Sequence, residues 1–158
     1  MQFETAIHAL CDAEVDFIII GGLSANLHGS AQVTLDLDVC YSRANANLKR
    51  IVAALAPFNP RLRGFPEALP FIWDDATLRN TTVLTLLTDL GEIALLAEVA
   101  GLGSWDGVKA RSVEVEAFER TISILDLPSL IQAKRAAGRA KDLAALPELE
   151  SLLEATEP

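Results

Sequence analysis

Residues 15–22, VDFIIIGG, and residues 34–40, TLDLDVC, are the two stretches of sequence from which the fold can be predicted. The first stretch is a β-branched apolar run, which indicates a buried strand, and it stops at the pair Gly21-Gly22. Residues 23–28 are predicted to form a short helix directly after this pair. The predicted fold therefore begins with a strand, a tight turn and a helix.

The second stretch alternates apolar and polar side chains, as a strand with two different faces does. Because successive strand residues point to opposite sides, Asp36 and Asp38 share one face of the predicted strand. Leu35, Leu37 and Val39 take the other face. The sequence thus predicts a pair of carboxylates close enough together to hold a metal ion.

The remaining elements extend this beginning into a mixed sheet flanked by helices, an α/β (α+β) fold. Residues 57–70 hold four prolines and are predicted to be an irregular excursion that could cover a site. Further helices are predicted at 4–13, 45–55, 104–109, 126–137 and from 139 onward, with another helix start at Pro147, and further strands at 82–87, 92–97, 112–115 and 121–125. We expect one domain over residues 1–158, with the sheet core in 1–125 and a C-terminal helical part in 126–158.

The composition is that of a globular protein with an acidic surface: 158 residues, 51% hydrophobic, net charge -9. This charge argues against a protein that coats nucleic acid, because neutralisation of phosphates by Lys and Arg dominates such binding. The N-terminus lacks a basic start and no apolar run is long enough to cross a bilayer, so we expect a cytoplasmic protein that does not contact membranes. Cys11 and Cys40 are expected to be buried thiols.

Two features of the opening stretches could carry chemistry. Gly21 and Gly22 would let the backbone approach a phosphate, with the hydroxyl of Ser24 nearby, although many strands end in glycine only to make a turn. Asp36 and Asp38 could hold a hard cation such as Mg²⁺ through carboxylate oxygens, although the same pattern is common on solvated strand faces. Taken alone, each feature favours the structural interpretation.

A cluster of basic residues lies near the C-terminus, where four of the thirteen Lys and Arg residues fall between Lys134 and Lys141. A local anion-binding patch is therefore compatible with an acidic protein. The cluster could also be a solvated helix face with Asp142 as its compensating charge. Trp73 and Trp105 could stack on a base, but aromatic residues near loops more often cover a core.

The combination of these motifs resembles the polymerase-β-like nucleotidyltransferase superfamily. Residues 21–25, GGLSA, residues 28–30, HGS, and residues 34–38, TLDLD, look like the opening motifs of small bacterial nucleotidyltransferases, including the abortive-infection toxin type. Lys134 with residues 139–143, RAKDL, is similar to the basic helix motif of those proteins. The resemblance covers most of the chain.

The resemblance implies a site in which a nucleoside triphosphate lies over Gly21, Gly22 and Ser24 while Mg²⁺ bridges its phosphates to Asp36 and Asp38. Transfer of the nucleoside monophosphate to a hydroxyl follows, on an RNA end, a protein or a small molecule. Further phosphate contacts are implied for the basic residues of the C-terminal motif, namely Lys134, Arg139 and Lys141. A toxin or antitoxin protein is implied as a possible partner.

Two positions depart from the pattern of that superfamily. Where its members place a third catalytic carboxylate on a neighbouring strand, this chain has Ala94, which can neither coordinate a metal nor act as a base. Glu92 shares a strand face with Ala94 by the two-residue period and is the candidate replacement. Gln32 stands where relatives commonly carry Arg. Two hypotheses therefore stay open: an active nucleotidyltransferase, or a degenerate one that acts as a nucleotide-binding or regulatory partner.

Overall fold

A seven-stranded mixed sheet forms the centre of the computed structural model, which describes residues 1–156. The strands of this part of the chain are β1 (Phe17–Ile19), β2 (Leu37–Tyr41), β3 (Arg61–Leu62), β4 (Val83–Thr88), β5 (Gly91–Leu96), β6 (Glu98–Val99), β7 (Gly103–Ser104), β8 (Ser112–Ala117) and β9 (Arg120–Leu125). The order in the main sheet is β3-β4-β5-β2-β1-β9-β8, and β6 pairs with β7 in a small separate ladder.

Helices cover both faces of this sheet. They are α1 (Phe3–Asp12), α2 (Gly22–Leu27), α3 (Asn45–Leu55), α4 (Asp75–Arg79), α5 (Trp105–Lys109), α6 (Leu127–Ala137) and α7 (Ala140–Thr156) within the described residues, with a 3-10 turn at Ala56–Phe58. The predicted class, a mixed sheet flanked by helices with helices at the C-terminal end, is confirmed.

The pairing of the central strands is both parallel and antiparallel. Strand β2 is antiparallel to β1 and parallel to β5, and β1 is parallel to β9. In the β2–β5 ladder, Asp38 lies beside Ala94 and Leu37 beside Ile93. The position predicted for a third carboxylate is thus the direct neighbour of Asp38, and it is an alanine.

The alternation of β2 divides its side chains between two cores. Leu37, Val39 and Tyr41 are completely buried in the cluster formed with α1 and α3. Cys40 points the other way, into the cluster formed with α6 and α7. Because the period of a strand is two residues, Asp38 faces the same side as Cys40. The aspartates therefore face the layer that the C-terminal helices cover.

Local signals account for where α6 begins and ends. The side chain of Asp126 accepts a hydrogen bond from the Ser129 N–H at 2.7 Å, which caps the first turn, and Pro128 occupies a position where a missing N–H has no cost. Gly138 ends the helix in the left-handed conformation, φ 66°. These signals were readable in the sequence, and they fix the place of the basic residues that follow.

Three expectations on element boundaries were wrong. Strand β2 begins at Leu37 instead of Thr34, and Leu35 is 77% exposed. The loop before the strand is held away from the sheet because the side-chain amide of Asn26 donates hydrogen bonds to the carbonyl oxygens of Ser30 and Gln32. Pro147 lies inside the continuous helix α7 and does not start a new one. Part of the excursion at 57–70 pairs with the sheet as β3.

None of the helices in residues 1–156 combines the length and the apolar character needed to cross a membrane. Cys11 and Cys40 are free thiols in different layers of the fold, one packed against each of the two core clusters.

Candidate functional site

A cavity of about 300 Å³ lies over the face of β2 and β5 that carries Asp36 and Asp38. Strand β2 supplies Asp38, the bend directly before it supplies Asp36, β5 supplies Glu92 and Ala94, and the turn after β1 supplies Gly21. Four acidic and four basic side chains line this cavity: Asp36, Asp38, Glu92, Asp142, Arg63, Lys134, Arg139 and Lys141. The structure thus brings together all the residues predicted for the site except Gly22 and Ser24.

Gly21 is required by the close approach of Asp38. A Cβ atom on Gly21 would lie 2.1 Å from Asp38 Oδ2 and 2.8 Å from Asp38 Cβ. A Cβ on Gly22 would lie 2.7 Å from Thr34 Oγ1. Neither glycine has a positive φ. Only glycine fits at these two positions without a shift of neighbouring atoms, because the segment 34–38 packs directly against the turn. This packing sets the position of the Asp38 carboxylate.

Burial and the neighbouring Asp36 carboxylate raise the pKa of Asp38 from 3.8 to about 6, against the opposing charges of Lys141 and Lys134. The two neighbouring carboxylates repel each other when both are negatively charged, and the lysines offset this repulsion only in part. Such a pair of hard oxygen donors fits a divalent cation of the Mg²⁺ type, which would remove the repulsion. Asp36 and Asp38 are the residues that would hold the metal.

Two of the predicted phosphate-binding residues are held by Asp142. This aspartate is 1% exposed, and its carboxylate contacts Arg139 Nε at 2.7 Å and Lys134 Nζ at 3.4 Å. Burial by itself would raise the pKa of Asp142, but the hydrogen bond from Arg139 and the charge of Lys134 bring it below its usual value. The compensation by Asp142 considered from the sequence is real, and it positions both cations at the cavity.

Lys141 differs from these two residues. It is exposed and lines the cavity, and its charge acts on Asp38. No carboxylate lies within ion-pair distance of its amino group among residues 1–156. Of the three basic residues predicted from the C-terminal motif, Lys141 is the one whose charge is available to a bound anion.

Glu92 lies in the cavity, but its carboxylate is bonded to an arginine that was not among the sequence-predicted site residues. Arg63 Nη1 donates to Glu92 Oε1 at 2.7 Å. Asp36, Asp38 and Glu92 are not a set whose ligand oxygens all lie within 4.8 Å of one another in the described residues. The proposed replacement for the third carboxylate is therefore near the aspartates without completing a three-carboxylate site.

Arg63 belongs to the proline-rich excursion, from which only a general covering role was expected. Its backbone N–H donates to Thr85 O at 2.9 Å, which continues the β3–β4 ladder and carries its side chain to the cavity. The only sequence signal was a basic residue in a segment suspected of covering the site. The rest of the excursion lines a separate depression, of about 440 Å³, around Phe65 and Phe71.

Ser24 and Gly22 lie outside this cavity. The Ser24 hydroxyl is fully buried and donates to Gly21 O at 2.6 Å, so it stabilises the turn. Gly22 lines an adjoining depression of about 360 Å³ that shares Asp36, Asp38 and Lys141 with the cavity. The two aspartates therefore border two neighbouring spaces.

The side chains of His28, Trp73 and Trp105 contact the rest of the protein. The His28 ring nitrogen Nε2 lies 2.6 Å from Leu125 O, and Trp73 donates to Val52 O at 3.0 Å. Trp73 contacts the α1–α3 core and Trp105 the α6–α7 core. His8 lies with Glu4 and Glu119 at the opposite end of the sheet from Asp36, since the β8–β9 turn adjoins the start of β1.

Comparison with known proteins adds a structural relative. No protein-family profile and no curated protein sequence matches the chain. Among solved structures, the fold is similar to the crystal structure of a "putative nucleotidyltransferase (TM1012) from Thermotoga maritima". The TM-score is 0.58 at 16% sequence identity, over 94% of this chain and 90% of that chain. The chain shares the fold of that protein, and at this identity the likeness shows the fold alone.

Replacing Gly21 with Ala should displace the Asp38 carboxylate, because the new Cβ would overlap Oδ2. We expect the affinity for Mn²⁺ to fall about tenfold or more, because the metal would lose one well-placed charged ligand. The affinity is measured from the electron paramagnetic resonance signal of free Mn²⁺. Gly22→Ala, which contacts Thr34 instead, is the matched control and should weaken the affinity less. Equal losses in both variants would contradict the role assigned to Gly21.

Asp38→Asn should stabilise the metal-free protein at neutral pH. The pKa of Asp38 is higher in the folded protein than in the unfolded chain, so the folded state favours the protonated carboxyl. The stability of the wild-type protein therefore has its full contribution from Asp38 below pH 3.8 and loses it as the pH rises through about 6. The shift corresponds to at most about 3 kcal/mol in the free energy of unfolding at pH 7.5. Urea titrations should show a more stable variant at pH 7.5 and equal stabilities near pH 3.5.

Mg²⁺ at several hundred times its dissociation constant should reverse this order at pH 7.5, because its binding then stabilises the wild-type protein by more than about 3 kcal/mol, and the variant lacks one of the metal's ligands. The exposed Asp106→Asn, in α5, is the control and should change stability by less than about 0.5 kcal/mol. A variant that is less stable than wild type at pH 7.5 without metal would contradict the assigned repulsion.

Proposed function

We propose that this protein is a metal-dependent nucleotidyltransferase that moves a nucleoside monophosphate from a nucleoside triphosphate to a hydroxyl acceptor. The observation that supports this proposal is the pair Asp36 and Asp38, held at the start of β2 inside a cavity whose wall also carries Lys134, Arg139 and Lys141. A cation on the aspartates and phosphates between them and the basic wall would satisfy both sets of charges.

The bound Mg²⁺ would supply charge neutralisation at the transferring phosphate and at the attacking hydroxyl. Asp36 and Asp38 would hold the cation, and Lys141, which has no carboxylate partner within residues 1–156, would contact the phosphates. Lys134 and Arg139 add positive potential from positions that Asp142 fixes. The residues of the chain thus contribute position and electrostatics, which are the main needs of phosphoryl-type transfer.

In the reaction, the acceptor oxygen forms a bond to the α-phosphorus, the bond from that phosphorus to the oxygen bridging to the β-phosphate breaks, and pyrophosphate leaves. The proton of the acceptor hydroxyl passes to the carboxylate of Glu92, which pairs with one basic residue, whereas Asp142 is held by two. The depression beside Gly22, which shares the two aspartates with the cavity, is the proposed entry for the acceptor.

A second function is favoured by a specific observation: Ala94 is the direct neighbour of Asp38, and Glu92 is bonded to Arg63. A chain that lacks a third carboxylate within reach of the metal could bind a nucleotide without transferring it. It would then act as a nucleotide-binding or regulatory partner.

The finer parts of the proposal rest on the sequence resemblance. The motifs at residues 21–38 and 134–143 resemble those of toxin-type nucleotidyltransferases, so the setting we propose is a cytoplasmic toxin–antitoxin pair with a cognate protein partner. The candidate acceptors are an RNA end, a protein or a small molecule. The acidic net charge of -9 disfavours free binding to RNA and favours an acceptor that the basic wall can hold at one end.

The nucleotide site is tested by calorimetric titration of the four common nucleoside triphosphates, as α,β-methylene analogues with Mg²⁺. Wild type should bind at least one of them, and the combined change Asp36→Ala and Asp38→Ala should abolish binding, because the metal bridge is lost. Lys141→Gln should weaken binding about tenfold, and Lys109→Gln, an exposed lysine in α5, should not. Absence of binding to wild type would exclude this function.

Transfer is separated from binding by incubating the protein with nucleoside triphosphates radiolabelled at the α-phosphorus in a bacterial extract. If the protein is an enzyme, wild type labels an acceptor and Glu92→Gln lowers the rate about a hundredfold or more, as for loss of a general base. Glu114→Gln, an exposed glutamate on β8, is the control.

The degenerate alternative predicts a different result. Wild type would bind a nucleotide and label nothing, and Ala94→Asp, which restores a carboxylate beside Asp38, would tighten Mn²⁺ binding and start labelling. Labelling by wild type that survives in Glu92→Gln would contradict the base role and leave the transfer function standing.

A further inference from the structure

Arg63 lies in a row of residues that crosses the sheet to Asp38. Its N–H donates to Thr85 O, Thr85 pairs with Ala94, and Ala94 pairs with Asp38. Neighbouring strands lie about 4.8 Å apart, so this row spans about 14 Å between its end residues. The two middle positions carry short side chains. The long side chain of Arg63 can therefore extend over them toward the aspartates.

Glu92 lies one step away from this row, on the same face. Its strand partner in β4 is Leu87, and the next residue, Ile93, pairs with Leu37, which directly follows Asp36. Neighbouring strands lie about 4.8 Å apart, so the backbone of Glu92 is close to the start of β2. A rotation of the Glu92 side chain alone can therefore direct its carboxylate toward either Arg63 or the aspartates.

The bond between Arg63 and Glu92 is of a kind that another anion can replace. The two side chains are 65% and 28% exposed, and ion pairs with this exposure contribute little to stability. The triphosphate group offers several anionic oxygens, and guanidinium groups bind phosphate with two parallel hydrogen bonds. An anionic ligand in the cavity would therefore compete with Glu92 for Arg63.

We propose that Arg63 is a triphosphate-binding residue whose partner changes on binding. Without ligand it holds Glu92; with a triphosphate in the cavity it contacts the phosphates, and the released Glu92 carboxylate turns toward the metal held by Asp36 and Asp38. The three-carboxylate site is then completed by the substrate itself. This inference rests on the proposed nucleotide site and adds a phosphate-binding residue to it.

Arg61 provides a matched comparison. It lies two residues earlier, its side chain is 64% exposed, and it is also paired with a glutamate, Glu67, at 3.9 Å. It lines the separate depression around Phe65 and not the cavity. A general effect of removing an exposed arginine should appear equally at both positions, whereas a role in the nucleotide site should appear only at Arg63.

The first measurement is calorimetric titration of the α,β-methylene triphosphate with Mg²⁺ into wild type, Arg63→Gln and Arg61→Gln, with thermal unfolding of each variant as a check on folding. Arg63→Gln should weaken binding about tenfold to a hundredfold, and Arg61→Gln less than about twofold. Equal effects at the two arginines, or none at Arg63, would overturn the proposal. A wild type that binds no nucleotide would overturn the proposed function as well.

The second measurement is Mn²⁺ binding without nucleotide, in a cycle of wild type, Arg63→Gln, Glu92→Gln and the double variant. Mn²⁺ shares the preference of Mg²⁺ for carboxylate oxygens. Arg63→Gln should tighten Mn²⁺ binding about threefold to tenfold because it frees Glu92, and the same change in the Glu92→Gln background should have less than about a twofold effect. An equal gain in both backgrounds would mean that Arg63 acts by its charge alone and would overturn the exchange of partners.

Discussion

The contact between Gly21 and the Asp38 carboxylate is the constraint on which the site depends. Strand β2 can lie this close to the β1–α2 turn only because Gly21 has no Cβ, and Asp38 is half-buried there. Burial and the neighbouring Asp36 then raise the pKa of Asp38. The apolar side of β2, with Leu37 and Val39 in the core, stabilises the strand in this position. Packing thus holds a carboxylate where its ionised form is costly, as is common at functional sites.

The cavity has equal numbers of acidic and basic side chains, but not all of the basic ones are free to bind a ligand. Asp142 binds Lys134 and Arg139, so these two cations have fixed positions and a reduced net charge. Their positions follow from the sharp end of α6 at Gly138 and the start of α7 directly after it. Lys141 remains without an ion-pair partner in residues 1–156. The result is an anionic floor on β2 opposite a cationic wall, an arrangement that suits a cation and phosphates bound together better than either alone.

The sequence predicts most of this fold because its local signals agree with the tertiary structure. The two-residue period of 34–40 and the capping residues Asp126 and Gly138 each fix an element without reference to distant contacts. The failures arise where a distant contact decides. Asn26 keeps the residues before Leu37 out of the sheet. Arg63 reaches the cavity only through pairing of the two-residue strand β3, which no periodic pattern in a proline-rich segment reveals.

Ala94 is best understood through the electrostatics of its neighbours. A carboxylate at this position would adjoin Asp38 in register and would add a third negative charge where two already repel. Glu92, one step away and neutralised by Arg63, keeps a third carboxylate in the cavity without that repulsion. The metal-free site then has less charge repulsion than it would with a carboxylate at position 94, but the Glu92 side chain must move before three carboxylates can surround a metal. An enzyme requires that movement and a nucleotide-binding partner does not, while every other feature of the site serves both.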